Sequence, residues 1–506
     1  EPFYPTLPSD KNAHLCHILL HSTETGNKMF TEENDIIEDD TVVEFRYDLN
    51  EKDKMNAWKP LRIRHDKTAE YVNSRKTKGF GNAYHVANSN WQSIHQPVTK
   101  EMLVNETPVT TEILLSSQND IYYNRGKDDS RKVSNTYNLR LFHNTLKELL
   151  IKYCASSQKN TKLVDLAVGK GGDLFKWVKN DVKSVLGIDI SEDNIHNPHD
   201  GACKRYIELF SNKKQKVDTG LIAMFISGDT SKNIKNGDFD IAGGEEPTSK
   251  YIVDALMGTG NVKQKEITES FLSKHYGIFK DRFDVCSIQF AVHYMFENER
   301  KLHNFIQNVS DLTHIGSYFI GTCYDGKLVY DMLKENGGSA ELYKNKNKIW
   351  GIKQKYNDEE TDIFNRGTSD SLGYKISVYQ ESINQEIDEY LVNFDYFVNV
   401  MEEYGFKQDD GFKIKNSSFN SVDNFETIYD LYTSKDFNNY NKKKSEMSDE
   451  EKQISFLNKY FIFKKVRDTV ISPGERISNA ETENINISTI IGKAEKTGRS
   501  IILTQL

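Results

Sequence analysis

Between residues 138 and 330, short apolar runs alternate with longer stretches in which apolar residues return every three or four positions. The runs 163–168, 185–190, from Ala223, 283–290 and 316–322 have the length of buried strands. Segments 139–153, from Leu174, 202–210 and 299–309 have helical spacing, and 460–464 reads as a last strand. That rhythm predicts an α/β fold, a Rossmann-like, doubly wound and mostly parallel sheet, over residues 138–468. Residues 1–115 read instead as a small β-rich domain, with strands at 41–47 and 60–64. Residues 116–137 read as a linker with a basic segment. Residues 409–452, rich in Asn, Lys and Ser, read as a surface insertion, and 469–506 as a polar tail.

Composition narrows the class. At 506 residues the chain suits two or three domains, and 37% hydrophobic residues suffice for their cores. Charged residues at 28% and a mean hydropathy of −0.66 describe a very polar surface, and no run approaches the ~20 apolar residues of a spanning helix. No membrane partner is expected, and the cytoplasm or a virion is the expected location. The five cysteines form no Cys-x-x-Cys pair, which argues against zinc and disulfides and predicts no metal site. With a net charge of −9, nucleic-acid contacts have to be local. Arg125, Lys127, Arg131 and Lys132, and Lys442 to Lys444, are the candidate basic stretches.

The chemistry concentrates at strand ends. Gly169, Gly171 and Gly172 follow the first strand directly and open a helix, the arrangement of a nucleotide cradle. Asp189, at the end of the next strand, suits ribose hydroxyls. NAD, FAD and S-adenosylmethionine (SAM) are all served by such a pair. The strand at Phe283 finishes in Gln289, Phe290, His293 and Tyr294, a polar and aromatic cluster that a ligand over the sheet's carboxyl edge would meet.

Lys170-Gly-Gly-Asp173, Gln289-Phe290, His293-Tyr294 and Glu389-Tyr-Leu-Val392, in this order, resemble the mRNA cap (guanine-N7) methyltransferase family. Leu139 to Lys147 and Tyr460 extend the resemblance, which covers most of residues 120–467. It implies SAM as cofactor, contacted by Lys147, Asp165, Gly169, Asp189, Asp229 and Gln289. It implies a capped mRNA 5′ end as substrate, contacted by Asn144, Lys176, Arg205, Phe290, His293, Tyr294, Glu389 and Tyr460. Transfer to guanine N7 needs no general base, because N7 already carries a lone pair, so His293, Tyr294 and Glu389 are expected to act by positioning. This chain departs from the family at Ala167-Val168, where Cys or a similarly small polar residue is usual, and at Phe142-His143-Asn144, a segment that replaces an Asn-Asn pair common in cellular members.

Residues 40–46 and 58–67 resemble the closing OB-fold of capping guanylyltransferases, which implies phosphate contacts by Arg62, Arg64, Asp66 and Lys67. No Lys-x-Asp-Gly segment occurs, so guanylyl transfer by this chain alone is not expected. Together the two resemblances point to the carboxyl-terminal part of a viral-type capping enzyme large subunit, with a small stimulatory subunit and RNA polymerase as candidate partners. The rivals are a small-molecule SAM methyltransferase, which has no use for Glu389 and its aromatic neighbours, and a non-catalytic cap- or RNA-binding scaffold.

Overall fold

The alternation of strands and helices after residue 138 folds into one twisted sheet. The computed structural model describes residues 3–95 and 135–468, except 6–9, 11, 25, 74–81, 83, 158, 212–219, 242–247, 261, 358–362, 382–384 and 435–445. The chain divides into two units, residues 1–117 and 118–506. The candidate basic stretches and the tail 469–506 lie outside the described residues, as does all but the end of the linker.

In the second unit, β1 (Lys162–Asp165), β2 (Ser184–Asp189), β3 (Ile222–Ser227), β4 (Phe283–Gln289) and β5 (Thr313–Tyr324) are parallel. Between them run α1 (Tyr137–Ser156, ahead of β1), α2 (Leu174–Lys179), α3 (Glu192–His196), α4 (Ala202–Ser211) and α5 (Glu299–Leu312). An antiparallel sheet of β6 (Ser339–Lys344), β7 (Asn347–Gln354), β8 (Lys375–Gln380) and β9 (Gln385–Tyr390) is inserted next. The main sheet closes with β10 (Phe406–Gln408), β11 (Val422–Asn424) and β12 (Asn458–Lys465). Its order is β10-β12-β5-β4-β1-β2-β3, with β12 antiparallel to β5 and β11 also on β12. Strand order reverses between β1 and β4, so the loops leaving their carboxyl ends diverge and leave a crevice there.

Period-2 alternation explains the two cores. Leu163, Val285, Ile320, Tyr460 and Ile462 face one side with α1, whereas Val164, Cys286, Phe319, Phe461 and Phe463 face the other with α5. Each fully buried side chain of this size contributes roughly 1.5–3 kcal/mol.

One expectation needs correction. The described residues of the 409–452 stretch, 409–434 and 446–452, do not form a surface insertion: they contain the hairpin Lys413–Ile414 with Ser417–Ser418, strand β11, α6 (Phe425–Thr433) and the start of α7 (Asp449–Ser455). Phe425, Ile428, Tyr429 and Tyr432 fall on one buried face at helical spacing, a pattern masked by the surrounding Asn and Lys. A capping box of Ser448 and Glu451 starts α7, and Glu451 also accepts the Leu139 amide at 3.0 Å, tying α7 to α1. The first unit is β-rich, as expected. A meander (Leu20–Thr23, Gly26–Phe30, Ile36–Ile37) and a hairpin (Val43–Tyr47 with Trp58–Ile63) form two sheets, followed by helices His65–Asn73 and Tyr84–His95. Trp91 is buried there against Tyr47 and Trp58, and the Trp58 indole donates to the Ala13 carbonyl at 2.8 Å.

Candidate active site

The glycine loop after β1 is clamped by an acid from the neighbouring strand. Gly169 and Gly171 adopt φ of +53° and +68°, open to glycine and strained for other residues. The Gly169 amide donates to Asp189 Oδ2 at 2.7 Å, and Asp189 Oδ1 accepts from the Ser191 amide (3.0 Å) and Asn194 Nδ2 (2.9 Å). Burial pushes the Asp189 carboxyl up, and these three donors work against that shift. A side chain added at Gly172 would meet nothing within 4 Å, so this part of the loop is open to a ligand. Asp165 at the end of β1 is buried, and burial, followed by the nearby Asp173 charge, raises it to about 8. Asp229 lies just past β3 and holds the Ser231 amide and hydroxyl at 3.0 and 2.7 Å.

Two cations from different elements share one carboxylate beside this loop. Lys147 of α1 and Lys176 of α2 approach Asp173 Oδ1 at 2.8 and 2.7 Å, and Lys176 donates to Asn144 Oδ1 at 2.9 Å. Burial alone would raise Asp173, but the two lysines outweigh it and hold the carboxyl well below its usual range. Burial lowers Lys176. The sequence placed Lys147 and Lys176 in different ligand sites; their common counter-ion Asp173 was not assigned a role. Arg205 sits half-buried on α4, whose Ala202 lies 3.6 Å from where a Gly171 side chain would start. Lys170 turns away, to Asp200 (2.7 Å) and Asp193 (3.3 Å).

Across the crevice, β4 ends in a braced turn. Gln289 Nε2 donates to Ser287 Oγ and its Oε1 accepts from Thr322 Oγ1, both at 3.1 Å. Phe290 has φ +56°, a left-handed conformation costing about 1–2 kcal/mol for an L-residue. Its amide donates to the Thr322 carbonyl at 2.9 Å, which holds it there. One turn on, His293 is 4% exposed, and neither of its ring nitrogens has a hydrogen-bond partner among the described residues. The His293 ring lies 4.2 Å from Tyr294, and its Nε2 is 3.7 Å from Glu389 Oε2, too long for a hydrogen bond. Burial raises Glu389 to about 8 and lowers His293 to about 3.

Glu389 comes from the inserted antiparallel sheet, in register with Ile376, so the fold brings it to His293 from about a hundred residues away. Tyr324, at the end of β5, went unnoticed in the sequence. Its hydroxyl accepts from Trp350 Nε1 (3.0 Å) and Gln380 Nε2 (3.3 Å), and burial, then the Glu389 charge, raises its pKa. Its position at a strand's carboxyl end, shared with Asp189 and Gln289, was the available signal. Tyr460 is fully buried on β12, its hydroxyl donating to the Asn420 carbonyl at 2.9 Å, and it pairs with Thr322.

In the first unit, Arg62 pairs with Glu44 at 3.1 Å, and Arg64 with Asp66 at 2.9 Å and Glu44 at 3.6 Å. The Arg64 hydrogen bond holds the exposed Asp66 carboxyl at about 2. Lys67 pairs with Glu70 at 2.8 Å on the following helix. The structure thus groups Arg62, Arg64 and Asp66 around Glu44, while Lys67 is engaged one turn away.

Residues 111–240 and 245–466 match the family described as the mRNA (guanine-N(7))-methyltransferase domain. A probable mRNA-capping enzyme of Acanthamoeba polyphaga mimivirus is 26% identical over 485 residues, 90% of this chain and 39% of the relative. An mRNA cap guanine-N(7) methyltransferase of Debaryomyces hansenii is 29% identical over 283 residues, 54% of this chain and 48% of the relative. The chain therefore spans about half or less of the length of these two relatives. The Schizosaccharomyces pombe protein of the same description is 26% identical over 288 residues, 56% of this chain and 64% of the relative.

Proposed function

Because the chain belongs to the mRNA (guanine-N(7))-methyltransferase family, we propose that its second unit methylates N7 of the guanine in a GpppN cap on mRNA, with SAM as donor. The observation that carries this reading is the pair His293 and Glu389: a buried carboxylate with no cation against it among the described residues, 3.7 Å from an imidazole whose nitrogens lack partners among them. Buried polar groups left this way cost several kcal/mol unless a ligand completes them. Guanine does so. Its N1–H and N2–H both donate toward one carboxylate, an edge adenine does not offer.

The glycine loop and acids fit SAM, since the open face at Gly172 leaves room for it and Asp189, held against the loop by the Gly169 amide, would answer the ribose hydroxyls. When bound, SAM supplies the sulfonium methyl group. Lys147 answers the carboxylate of its methionine part, Asp165 and Gly169 line the turn, Asp229 lies on the adenine side, and Gln289 is held beneath by Ser287 and Thr322. Lys176, Asn144 and Arg205 face the cap triphosphate. Phe290 and Tyr294 wall the base, and aromatic faces favour its cationic methylated form; Tyr460, expected at the cap, is fully buried in the core that Phe290 packs against. The chain's own contribution is alignment: N7 approaches the methyl carbon in line, and no residue has to remove a proton.

The first unit serves as the OB-fold of a capping guanylyltransferase, with Arg62, Arg64 and Lys67 answering phosphate and Asp66 orienting Arg64; the mimivirus relative matches across this region too. By the same resemblance the partners are a small stimulatory subunit and RNA polymerase, and the setting is the cytoplasm or the virion.

The test incubates the chain with methyl-labelled SAM and GpppA-capped RNA beside a Glu389→Ala variant. Label at guanine N7 that disappears in the variant is the expected result. SAM binding with no GpppA binding by the wild-type chain would refute the reading.

A further inference from the structure

Thr322 fixes the Phe290 backbone, yet a pinned backbone leaves the ring free to turn about its side-chain bonds. A second wall stops it. The His143 ring stacks on Phe290 with centroids 5.3 Å apart and planes 19° apart. Phe425 of α6 meets both rings edge-on, at 5.0 Å from His143 and 6.1 Å from Phe290. His143 cannot slide either. Its Nε2 is hydrogen-bonded at 2.9 Å to Ser455 Oγ, a fully buried residue at the end of α7. Burial and then the Lys147 charge hold His143 deprotonated, so the stack is neutral and does not repel a cationic base beside it.

We propose that His143 is a positioning residue for base recognition: it holds Phe290 on one face so that the other face is preset as the stacking platform for the cap guanine. The inference rests on the proposed function and deepens it. It gives a role to the departure at Phe142-His143-Asn144, since the His143 imidazole sets an aromatic face against Phe290. It also gives α6 and α7 a share in the site, through Phe425 and Ser455.

The test measures the affinity of the whole chain for GpppA and, separately, for SAM by calorimetry, in wild type, His143→Ala, His143→Phe and Ser455→Ala. Base–aromatic stacking is worth roughly 1–3 kcal/mol per base, and losing about 1.4 kcal/mol of it corresponds to a tenfold weaker Kd. His143→Ala is expected to weaken GpppA about tenfold and leave SAM within about twofold, and His143→Phe, which restores a ring, to recover most of the loss. Ser455→Ala, which frees the ring without removing it, is expected to cost GpppA alone about two- to fourfold; it decides the matter if His143→Ala does not fold. GpppA affinity unchanged in folded His143→Ala, or in Ser455→Ala when it alone is available, would overturn the inference. So would equal losses for GpppA and SAM, which mark a merely structural role. Wild type that binds SAM but not GpppA removes the parent reading and this inference together.

Discussion

Replacing Glu389 by Gln should stabilise the empty protein while weakening cap binding. Glu389 is 4% exposed, with no basic partner among the described residues except the neutral His293, and burial raises its carboxyl to about 8. An unfolded-chain Glu titrates near 4.3. Below about pH 4.3 both states hold the proton and Glu389 carries no penalty. Between there and pH 8 the native state binds more protons than the unfolded one, so stability falls as pH rises. At about 1.36 kcal/mol per pH unit, the penalty is roughly 1 kcal/mol at pH 5 and about 3.6 kcal/mol at pH 7. The latter is a ceiling, because water and local relaxation lower the real cost of a buried charge; about 1–2 kcal/mol of relief at pH 7 is the working expectation. Gln has the same length and can donate to the partnerless His293 nitrogen. Thermal unfolding of wild type and variant at pH 5 and pH 7.5 provides the assay, each kcal/mol moving Tm by about 2–4 °C. The variant's advantage should be small at pH 5 and grow toward pH 7.5. Asp165, also raised to about 8, gives both proteins the same slope and cancels in the difference. A variant less stable than wild type at pH 7.5, or an advantage independent of pH, would refute the reasoning.

Guanine requires ionised Glu389, so GpppA affinity should strengthen from pH 6.5 to pH 8.5 with proton release, seen by calorimetry in buffers of different ionisation enthalpy; Glu389→Gln should abolish the dependence. Asp189→Ala removes the acceptor of the Gly169, Ser191 and Asn194 donors and should weaken SAM at least about tenfold, while leaving the intrinsic affinity for GpppA near wild type. Asp173→Ala strips two lysines of their shared carboxylate and should destabilise the second unit by about 3 kcal/mol, measured by urea unfolding. Tyr460→Phe leaves the Asn420 carbonyl without its donor and should cost about 1 kcal/mol in the same assay.

Most of the main sheet was legible in the chain, because period-2 apolar runs and helical spacing mark buried strands and helices from local sequence alone. The runs at 163, 185, 223, 283 and 316 became β1 to β5, and Gly169 and Asp189 landed at adjacent strand ends as expected. Local signals failed where composition hid the pattern, as in the four buried aromatic and aliphatic residues of α6 within an Asn- and Lys-rich stretch. They failed again at the inserted sheet β6–β9, whose alternation was short and half-exposed. Tertiary structure alone decided which residues meet. Glu389 reaches His293 through the register of β9 on β8, Asp173 gathers Lys147 and Lys176 from two helices, and His143 finds Phe290 because α1 packs over the end of β4. A sequence fixes each side chain's chemistry and its local period. Whether a carboxylate is neutralised, left bare or shared depends on distances between segments far apart in the chain, and those exist only once the cores on both faces of the sheet have closed.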